Sequence, residues 1–256
     1  MTVRTRTRTA LALGVITVIG MTATGCGAAT ADAEDASPEH KAFPVAGKRL
    51  GIETDNAPVE LVPAKDGRAD VGVTRWFSSW TLGGSARASW EMEDGTLKLR
   101  SHCSGIANCS AKYRIEVPRG VELSVRDGNG AVTAKGFETA LRIRSQNGRV
   151  EVTDSTGDLD LRSANGEVIA TGTGSRRVKA GSGNGTVRLA FARVPERVET
   201  DNDNGATRIT VPKGTYKVDV RSGNGSTQVD VPRDSASPHS ITARSDNGSV
   251  RVSPAD

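Results

Sequence analysis

The stretch LRIRSQNGRVEV, residues 141–152, contains the pattern that decides the fold of this chain. Aliphatic and polar side chains alternate on both sides of Asn147-Gly148, with the period of two that is typical of half-buried strands. Asn-Gly itself is a turn dipeptide. Residues 141–152 are therefore predicted to form a strand, a tight turn and a second strand.

The same pattern recurs through most of the chain, with Asn-Gly occurring seven times at intervals of 18, 18, 19, 20, 20 and 23 residues. The seven asparagines are Asn129, Asn147, Asn165, Asn184, Asn204, Asn224 and Asn247. The positions six and four before each Asn, and three and five after it, are mainly aliphatic. A degenerate eighth copy covers residues 50–61, so the repeat array begins near residue 48 and is interrupted over residues 62–120.

Two all-β architectures can use this unit. Asn-Gly between alternating segments is the strongest local signal for a type I′ hairpin, which predicts an antiparallel meander or barrel. The position two before Asn, however, is small and polar in every copy, which fits stacked coils with Ser and Asn ladders at a corner. These residues are Asp127, Ser145, Ser163, Ser182, Asn202, Ser222 and Ser245. We favour a parallel β-solenoid of 18- to 23-residue coils, with the antiparallel meander as the alternative.

The N-terminal residues predict export and membrane attachment. Three arginines precede an apolar run over residues 10–21, a layout that is typical of a signal peptide and too short to span a bilayer. Residues 23–26, Ala-Thr-Gly-Cys, resemble a bacterial lipobox, and this resemblance implies that Cys26 is lipidated after removal of residues 1–25. Cleavage after Ala33 would instead release a secreted protein.

The domain boundaries follow from these segments. Residues 26–47 are predicted to be the lipidated Cys and a disordered tether, because they lack apolar periodicity and are rich in Ala, Asp, Glu, Ser and Pro. The repeat domain is predicted at residues 48–256. Within it, the irregular segment 62–120 contains all three tryptophans, and we expect it to pack as short antiparallel strands over one end or edge of the solenoid.

Cysteine usage agrees with an exported chain. The lipobox accounts for one of three cysteines and leaves Cys103 and Cys109, whose six-residue separation suits a disulfide in an oxidising compartment. A zinc site would have to recruit His102, and no second Cys or His cluster supplies the remaining ligands. We predict a disulfide, no metal site and no cofactor.

One outward column of the repeat is basic. Three positions before Asn, five of the seven copies have arginine: Arg126, Arg144, Arg162, Arg221 and Arg244. In a stacked solenoid these side chains form a broken ridge, with strands about 4.8 Å apart. Such a ridge can bind an anionic wall polymer through multivalent charge pairing. The alternative is ordinary surface charge that acids such as Asp160, Glu199 and Asp219 neutralise.

The sequence gives little support for catalysis or for nucleic-acid binding. The formal net charge of +4 falls to +1 when Arg4, Arg6 and Arg8 of the signal peptide are left out, which argues against a nucleic-acid partner. The three histidines lie in the tether, beside the predicted disulfide and in a Pro-flanked insertion, so none is placed to activate a nucleophile.

The lipobox, the acidic tether and the Ser-x-Asn-Gly-x-Val units together resemble a bacterial family of unknown function, described as adhesin-like proteins with β-strand repeats and common among actinobacterial lipoproteins. The resemblance covers residues 48–253 and implies a repetitive β fold, with no functional residues to carry over. We therefore expect a non-enzymatic, lipid-anchored module on the outer face of the cell membrane that binds a cell-wall polymer or an envelope protein. The alternatives are a carbohydrate-active β-helix enzyme and a spacer or sensor acting through a protein partner.

Overall fold

The computed structural model describes residues 32–33, 36–65 and 67–255, which form strands, turns and loops. The predicted signal peptide and the lipidation site Cys26 lie outside the described residues. Within the described part of the chain, no helix is long and apolar enough to cross a membrane.

Sixteen of the described strands, numbered in chain order, form eight strand–corner–strand coils. The first strands of these coils are β2 (Arg49–Thr54), β6 (Glu122–Asp127), β8 (Leu141–Ser145), β10 (Leu159–Ser163), β12 (Arg177–Asn184), β14 (Arg197–Asn204), β16 (Lys217–Ser222) and β18 (Ser240–Asn247). The second strands are β3 (Val59–Pro63), β7 (Val132–Lys135), β9 (Val150–Thr153), β11 (Val168–Thr173), β13 (Val187–Phe191), β15 (Thr207–Val211), β17 (Thr227–Val229) and β19 (Val250–Pro254). Three further strands are β1 (Pro38–Phe43), β4 (Val71–Glu93) and β5 (Thr96–Val117).

Equivalent strands of the coils pair in parallel and in register. Leu159, for example, lies opposite Leu141 on one side and Val178 on the other. The first ladder is β2-β6-β8-β10-β12-β14-β18-β16, and the second ladder is β3-β7-β9-β11-β13-β15-β19-β17. Among the described strands, only β1–β4 and β4–β5 pair in antiparallel fashion. The predicted parallel β-solenoid is confirmed, and the antiparallel meander is wrong.

The hydrophobic core lies between the two ladders. The aliphatic columns predicted from the repeat point inward; Ile143, Val150, Val152 and Leu161 have no exposed surface. Burying one such side chain stabilises the fold by about 1.5–3 kcal/mol. Each coil is one layer thick and buries these side chains only by stacking on its neighbours, so stability depends on the stack as a whole.

The small polar column of the repeat ties each corner to the coil before it. The Ser163 hydroxyl accepts a hydrogen bond from the Gly166 amide at 2.8 Å and donates one to the Gly148 carbonyl of the preceding coil at 2.9 Å. The hydroxyls of Ser182 and Ser222 donate to the equivalent glycine carbonyls, both at 2.8 Å. Buried backbone groups at the corner are thereby satisfied without water.

The predicted asparagine ladder runs along the outside of the same corners. Each Asn side-chain amide donates to the side-chain oxygen of the Asn one coil nearer the N-terminal end of the stack, at 2.5–3.0 Å between Asn147 and Asn224. Asn129 donates in the same way to Asn56 of the degenerate first copy. The ladder therefore spans all eight coils.

Glycine follows Asn because adjacent corners approach too closely for a side chain. A Cβ atom on Gly148 would lie 1.7 Å from the Gly130 carbonyl oxygen, and one on Gly166 would lie 2.1 Å from the oxygen of Gly148. A type I′ turn needs positive φ at both central residues, yet among the seven Asn-Gly pairs only Gly205 has one, at 142°. Asp94-Gly95, with φ of 47° and 74°, is the tight turn between β4 and β5.

The last two copies stack in the reverse of their chain order. The coil of β18 and β19 lies between those of β14/β15 and β16/β17, whereas stacking in chain order would place it at the end of the array. The inserted coil is the more apolar of the two, since Val250 is buried where the terminal coil has the exposed Thr227. This order places the more aliphatic coil inside the stack and the more polar coil at its end. Polar side chains there keep the unpaired edge strands soluble.

A long two-stranded ribbon of β4 and β5 covers the N-terminal end of the stack. β5 pairs with β2 through Thr96–Leu99 and with β3 through Tyr113–Val117, while β4 pairs with β5 along almost its whole length. The segment predicted as irregular with short strands, residues 62–120, thus has two strands of 23 and 22 residues. The segment contains all three tryptophans, which favour strands, and β4 and β5 supply each other with backbone hydrogen-bond partners.

β1 forms within the segment predicted to be a disordered tether. It pairs antiparallel with β4, from Pro38 opposite Trp76 to Phe43 opposite Val71. The free edge of β4 supplies the backbone partners, and the Phe43 side chain is buried. The prediction of a tether up to residue 47 is therefore wrong for Pro38–Phe43. The composition of this segment could not show that β4, later in the chain, has a free edge with which it can pair.

Substituting a corner glycine tests the steric role of the Asn-Gly pair. We expect Gly148→Ala to destabilise the protein by about 3 kcal/mol or more, because its Cβ would collide with a fixed backbone oxygen. Gly214→Ala is the matched control, since its Cβ would meet only ordinary contacts at 3.5–3.6 Å. Guanidinium unfolding of both variants measures the difference; equal midpoints would contradict the steric explanation.

The polar column contains one carboxylate, Asp127, whose titration makes stability depend on pH. Burial, assisted by the charge of Asp55, raises the pKa of Asp127 to about 6, although hydrogen bonds from Ser145 and the Gly130 amide oppose the shift. Between about pH 4 and pH 6 the folded protein holds a proton that the unfolded chain releases, so the free energy of unfolding falls as pH rises through this window.

We expect Asp127→Ser, which installs the residue usual at this corner, to remove that part of the pH dependence. The variant should be more stable than wild type at pH 7, by on the order of 2 kcal/mol, with the advantage shrinking towards pH 4. Urea unfolding between pH 4 and 7 measures this, with Asp219→Ser at an exposed position as the control for loss of one carboxylate. A difference between Asp127→Ser and wild type that does not change with pH would refute the assignment.

Candidate binding surface

The predicted arginine column lies along the outer face of the first ladder. From the N-terminal end, the column contains Glu53, Arg126, Arg144, Arg162, Gly181, Asp201, Arg244 and Arg221. The ridge is therefore interrupted by Gly181 and Asp201, and the reversed order of the last coils places Arg244 before Arg221.

Acidic side chains neutralise most of this column. Arg126 pairs with Glu53 at 3.5 Å, Arg144 with Asp160 at 2.6 Å, Arg162 with Asp201 at 3.9 Å and Arg221 with Asp219 at 3.1 Å. Of the five predicted arginines, Arg244 alone has no acidic partner within the described residues. Two of the acids proposed from sequence as neutralising partners, Asp160 and Asp219, do pair with the column, while Glu199 pairs with Arg197 instead.

A groove of about 610 Å³ crosses the first ladder where its strands begin. Its floor is aliphatic, and its rim contains cations and acids that pair with each other, such as Arg177 with Asp158 at 2.7 Å and Arg142 with Asp160 at 3.2 Å. Burial acts to raise the pKa of Asp160, but the hydrogen bond and charge of Arg144, with the charges of Arg142 and Lys179, hold it below its ordinary value. The rim is thus charged yet largely self-neutralised.

A second basic column, which the sequence analysis missed, lies on the second ladder. Arg188, Arg208 and Arg251 stand four positions after their Asn and occupy neighbouring strands β13, β15 and β19 in register. All three are exposed, and only Arg251 has an acidic partner, Asp230 at 3.3 Å. Arg188 and Arg208 have no ion pair or hydrogen-bond partner in the described part of the chain. Their shared position, four residues after Asn in each copy, is the sequence pattern that could have predicted this column.

The histidines lie on three separate elements. His40 on β1 contacts the Thr74 hydroxyl at 3.0 Å, His102 lies opposite Arg87 on the ribbon, and His239 contacts the Pro195 carbonyl at 2.9 Å. Over the described ranges, no group of three or more His, Cys, Asp or Glu side chains is arranged to hold a metal ion.

Cys103 and Cys109 form the predicted disulfide, with their Cα atoms 6.3 Å apart. A disulfide in a chain of this kind is typical of proteins that leave the cytoplasm. It lies in the outer part of the ribbon, away from both arginine columns.

Comparison with known proteins gives a family model and several solved folds. The model described as Toastrack DUF4097 matches residues 91–254. A "putative adhesin" from Parabacteroides distasonis ATCC 8503 is 11% identical with a TM-score of 0.51, covering 85% of this chain and 98% of its own. A "putative adhesin" from Bacteroides fragilis NCTC 9343 is 12% identical with a TM-score of 0.44, covering 86% and 97%. No curated protein matches the chain. At this identity, the Parabacteroides structure shows a shared fold.

Proposed function

This chain belongs to the Toastrack DUF4097 family, and we propose that it is a non-enzymatic, extracytoplasmic lipoprotein that binds an anionic cell-wall polymer along its second ladder. The observation that carries the proposal is the in-register column of Arg188, Arg208 and Arg251. The lipobox-like sequence before Cys26 and the disulfide support an anchored position outside the cytoplasm.

The geometry of the column suits an extended polyanion. Neighbouring strands are about 4.8 Å apart, so the three guanidinium groups follow a line of roughly 10 Å along the stack axis. A polymer lying along this axis can pair with all three groups, and each added contact raises the effective concentration of the next. Arginine suits this role because its guanidinium binds phosphate or carboxylate through two parallel hydrogen bonds.

For the same reason, the arginine column on the first ladder is the less favourable binding site for a polyanion. An incoming anion there must compete with acids that already pair with Arg126, Arg144, Arg162 and Arg221. Arg188 and Arg208 have no such competitor among the described residues, so they lose only solvent when a polyanion binds. A polymer therefore gains more from the second ladder for the same number of arginines.

Co-sedimentation with purified cell-wall sacculi, over a series of salt concentrations, tests the proposal. The chain from residue 27 is used, which retains every described strand. We expect Arg188→Ser/Arg208→Ser/Arg251→Ser to lose about ten-fold or more in affinity at low salt, and wild-type binding to fall as salt rises. The matched control is Arg126→Ser/Arg144→Ser/Arg162→Ser, which removes the same three charges and should bind nearly as wild type.

The outcomes separate the two columns and the two classes of partner. Equal losses in both triple variants would show that binding depends on net charge alone and not on a site. A loss confined to the control variant would return the site to the first ladder. Absence of wild-type binding at low salt would overturn the wall-polymer proposal and favour an envelope protein as the partner.

A further inference from the structure

The outer part of the β4–β5 ribbon is a projecting structure that the polymer-binding proposal does not use. Over Thr96–Leu99 and Tyr113–Val117, β5 pairs with the first coil, but the residues between them have no strand of the solenoid as partner. The coil needs only four residues to connect the same two levels, from Thr54 to Val59. The extra length of ribbon therefore extends beyond the Asn corner, by roughly 20 Å for six residues at about 3.3 Å each.

The ribbon folds back on itself at its far end. The pairing register is interrupted between Thr81 and Gly84, and the three glycines at the bend, Gly83, Gly84 and Gly105, all have positive φ. A Cβ on Gly84 would lie 2.0 Å from the Ser104 carbonyl oxygen, so only glycine allows this close approach. The ribbon thus has two arms that meet at a tight tip.

Two sets of contacts hold the arms together. The disulfide between Cys103 and Cys109 joins the arms close to the tip. Nearer the solenoid, the Arg75 guanidinium donates to the Ala88 carbonyl at 2.6 Å and lies 4.3 Å from the centre of the Trp90 ring, so one arm is fixed to the other. The tip is therefore a preorganised element.

Three of the four large hydrophobic side chains that are exposed in the described residues lie at this tip. Leu82 is 65% exposed, Ile106 is 62% exposed and Trp80 is 42% exposed; the fourth, Val194, lies in a distant loop. Isolated apolar side chains are common on surfaces, but a cluster at a projecting, constrained tip indicates a contact with an apolar partner.

The charge of the ribbon and the position of the N-terminal segment indicate the chemistry of that partner. Residues 71–90 and 96–115 contain no Asp or Glu, and the outer part of the ribbon has Arg87 and His102 opposite each other. Arg87 has no acidic partner among the described residues. Trp, aliphatic side chains and a cation in one place match the interface of a bilayer with anionic lipids.

The position of β1 brings the N-terminal segment to the same place. β1 runs along β4 so that its first residue, Pro38, lies opposite Trp76, five residues or about 17 Å from Thr81 at the tip. Going back from Phe43 to Pro38, the chain approaches the tip. Cys26 lies twelve residues before Pro38, and these residues can span at most about 40 Å. A lipid on Cys26 would therefore hold the tip within reach of the membrane surface.

We propose that the ribbon tip of Trp80, Leu82 and Ile106 inserts into the interface of an anionic lipid bilayer and acts as a second membrane contact beside the lipid anchor. The anchored location is the part of the proposed function on which this inference rests. A protein contact of this kind adds to the attachment that the lipid anchor provides and limits the orientations of the solenoid at the membrane.

Flotation with vesicles tests the proposal on the unlipidated chain from residue 27, so the result does not depend on modification of Cys26. The vesicles contain phosphatidylglycerol and phosphatidylcholine, or phosphatidylcholine alone. We expect wild type to partition into the anionic vesicles, Leu82→Ser/Ile106→Ser to lower the partition coefficient about ten-fold or more, and Arg87→Ser to lower it about five-fold. Val194→Ser, the matched exposed apolar control, should behave as wild type.

Tryptophan quenching by lipids brominated on their acyl chains gives a second measurement that folding defects do not imitate. Trp80 should be quenched in anionic vesicles, and Trp80→Phe should abolish the quenching because Trp76 and Trp90 lie nearer the solenoid. Absence of vesicle binding, or binding that Leu82→Ser/Ile106→Ser leaves unchanged, would overturn the proposal and favour a protein partner for the tip. Binding of Leu82→Ser/Ile106→Ser to sacculi is measured separately and should equal that of wild type. This measurement distinguishes failure of the membrane contact from failure of the proposed polymer binding.

Discussion

The close approach of neighbouring backbones at the Asn-Gly corners is the constraint on which the rest of this fold depends. At a strand spacing of about 4.8 Å, a corner can stack on the corner before it only if the residue after Asn has no side chain, as the 1.7 Å approach at Gly148 shows. The Ser hydroxyl and the Asn amide then pair one corner with the next. Because the corner fixes the register of both strands, each position of the repeat becomes a continuous column along the stack.

This equivalence between repeat offset and position in space explains what the sequence could predict. The strands, the buried aliphatic columns, the eight copies and the asparagine ladder all follow from offsets counted from Asn. The local meaning of Asn-Gly was less informative. In hairpins, Asn-Gly provides two residues with positive φ. Here Gly148 and Gly166 are required because the backbone of the preceding coil lies too close for a side chain. No local sequence pattern shows that contact. The small polar column distinguished the two cases, because only stacking gives it hydrogen-bond partners.

Offsets do not give the order of the coils or the charges that surround a column. The second basic column depends on that order, since in chain order Gln228, not Arg251, would lie beside Arg208. Burial decides the matter, because Val250 gains more than Thr227 from an interior position. Neutralisation of the first column is equally non-local. Arg162 reaches Asp201 two coils away across Gly181, whose missing side chain leaves the path open.

The ends of the stack are finished in different ways, and this asymmetry separates the two proposed contacts. The ribbon covers the first coil, whereas the last coil ends in the short strands β16 and β17, with charged side chains at Lys217, Asp219 and Arg221 that discourage edge pairing. The second basic column occupies the fifth to seventh coils, five to seven strand spacings or about 24–34 Å from the ribbon. A bilayer at the tip and a polymer on this column would therefore not compete for surface, and one molecule can hold both.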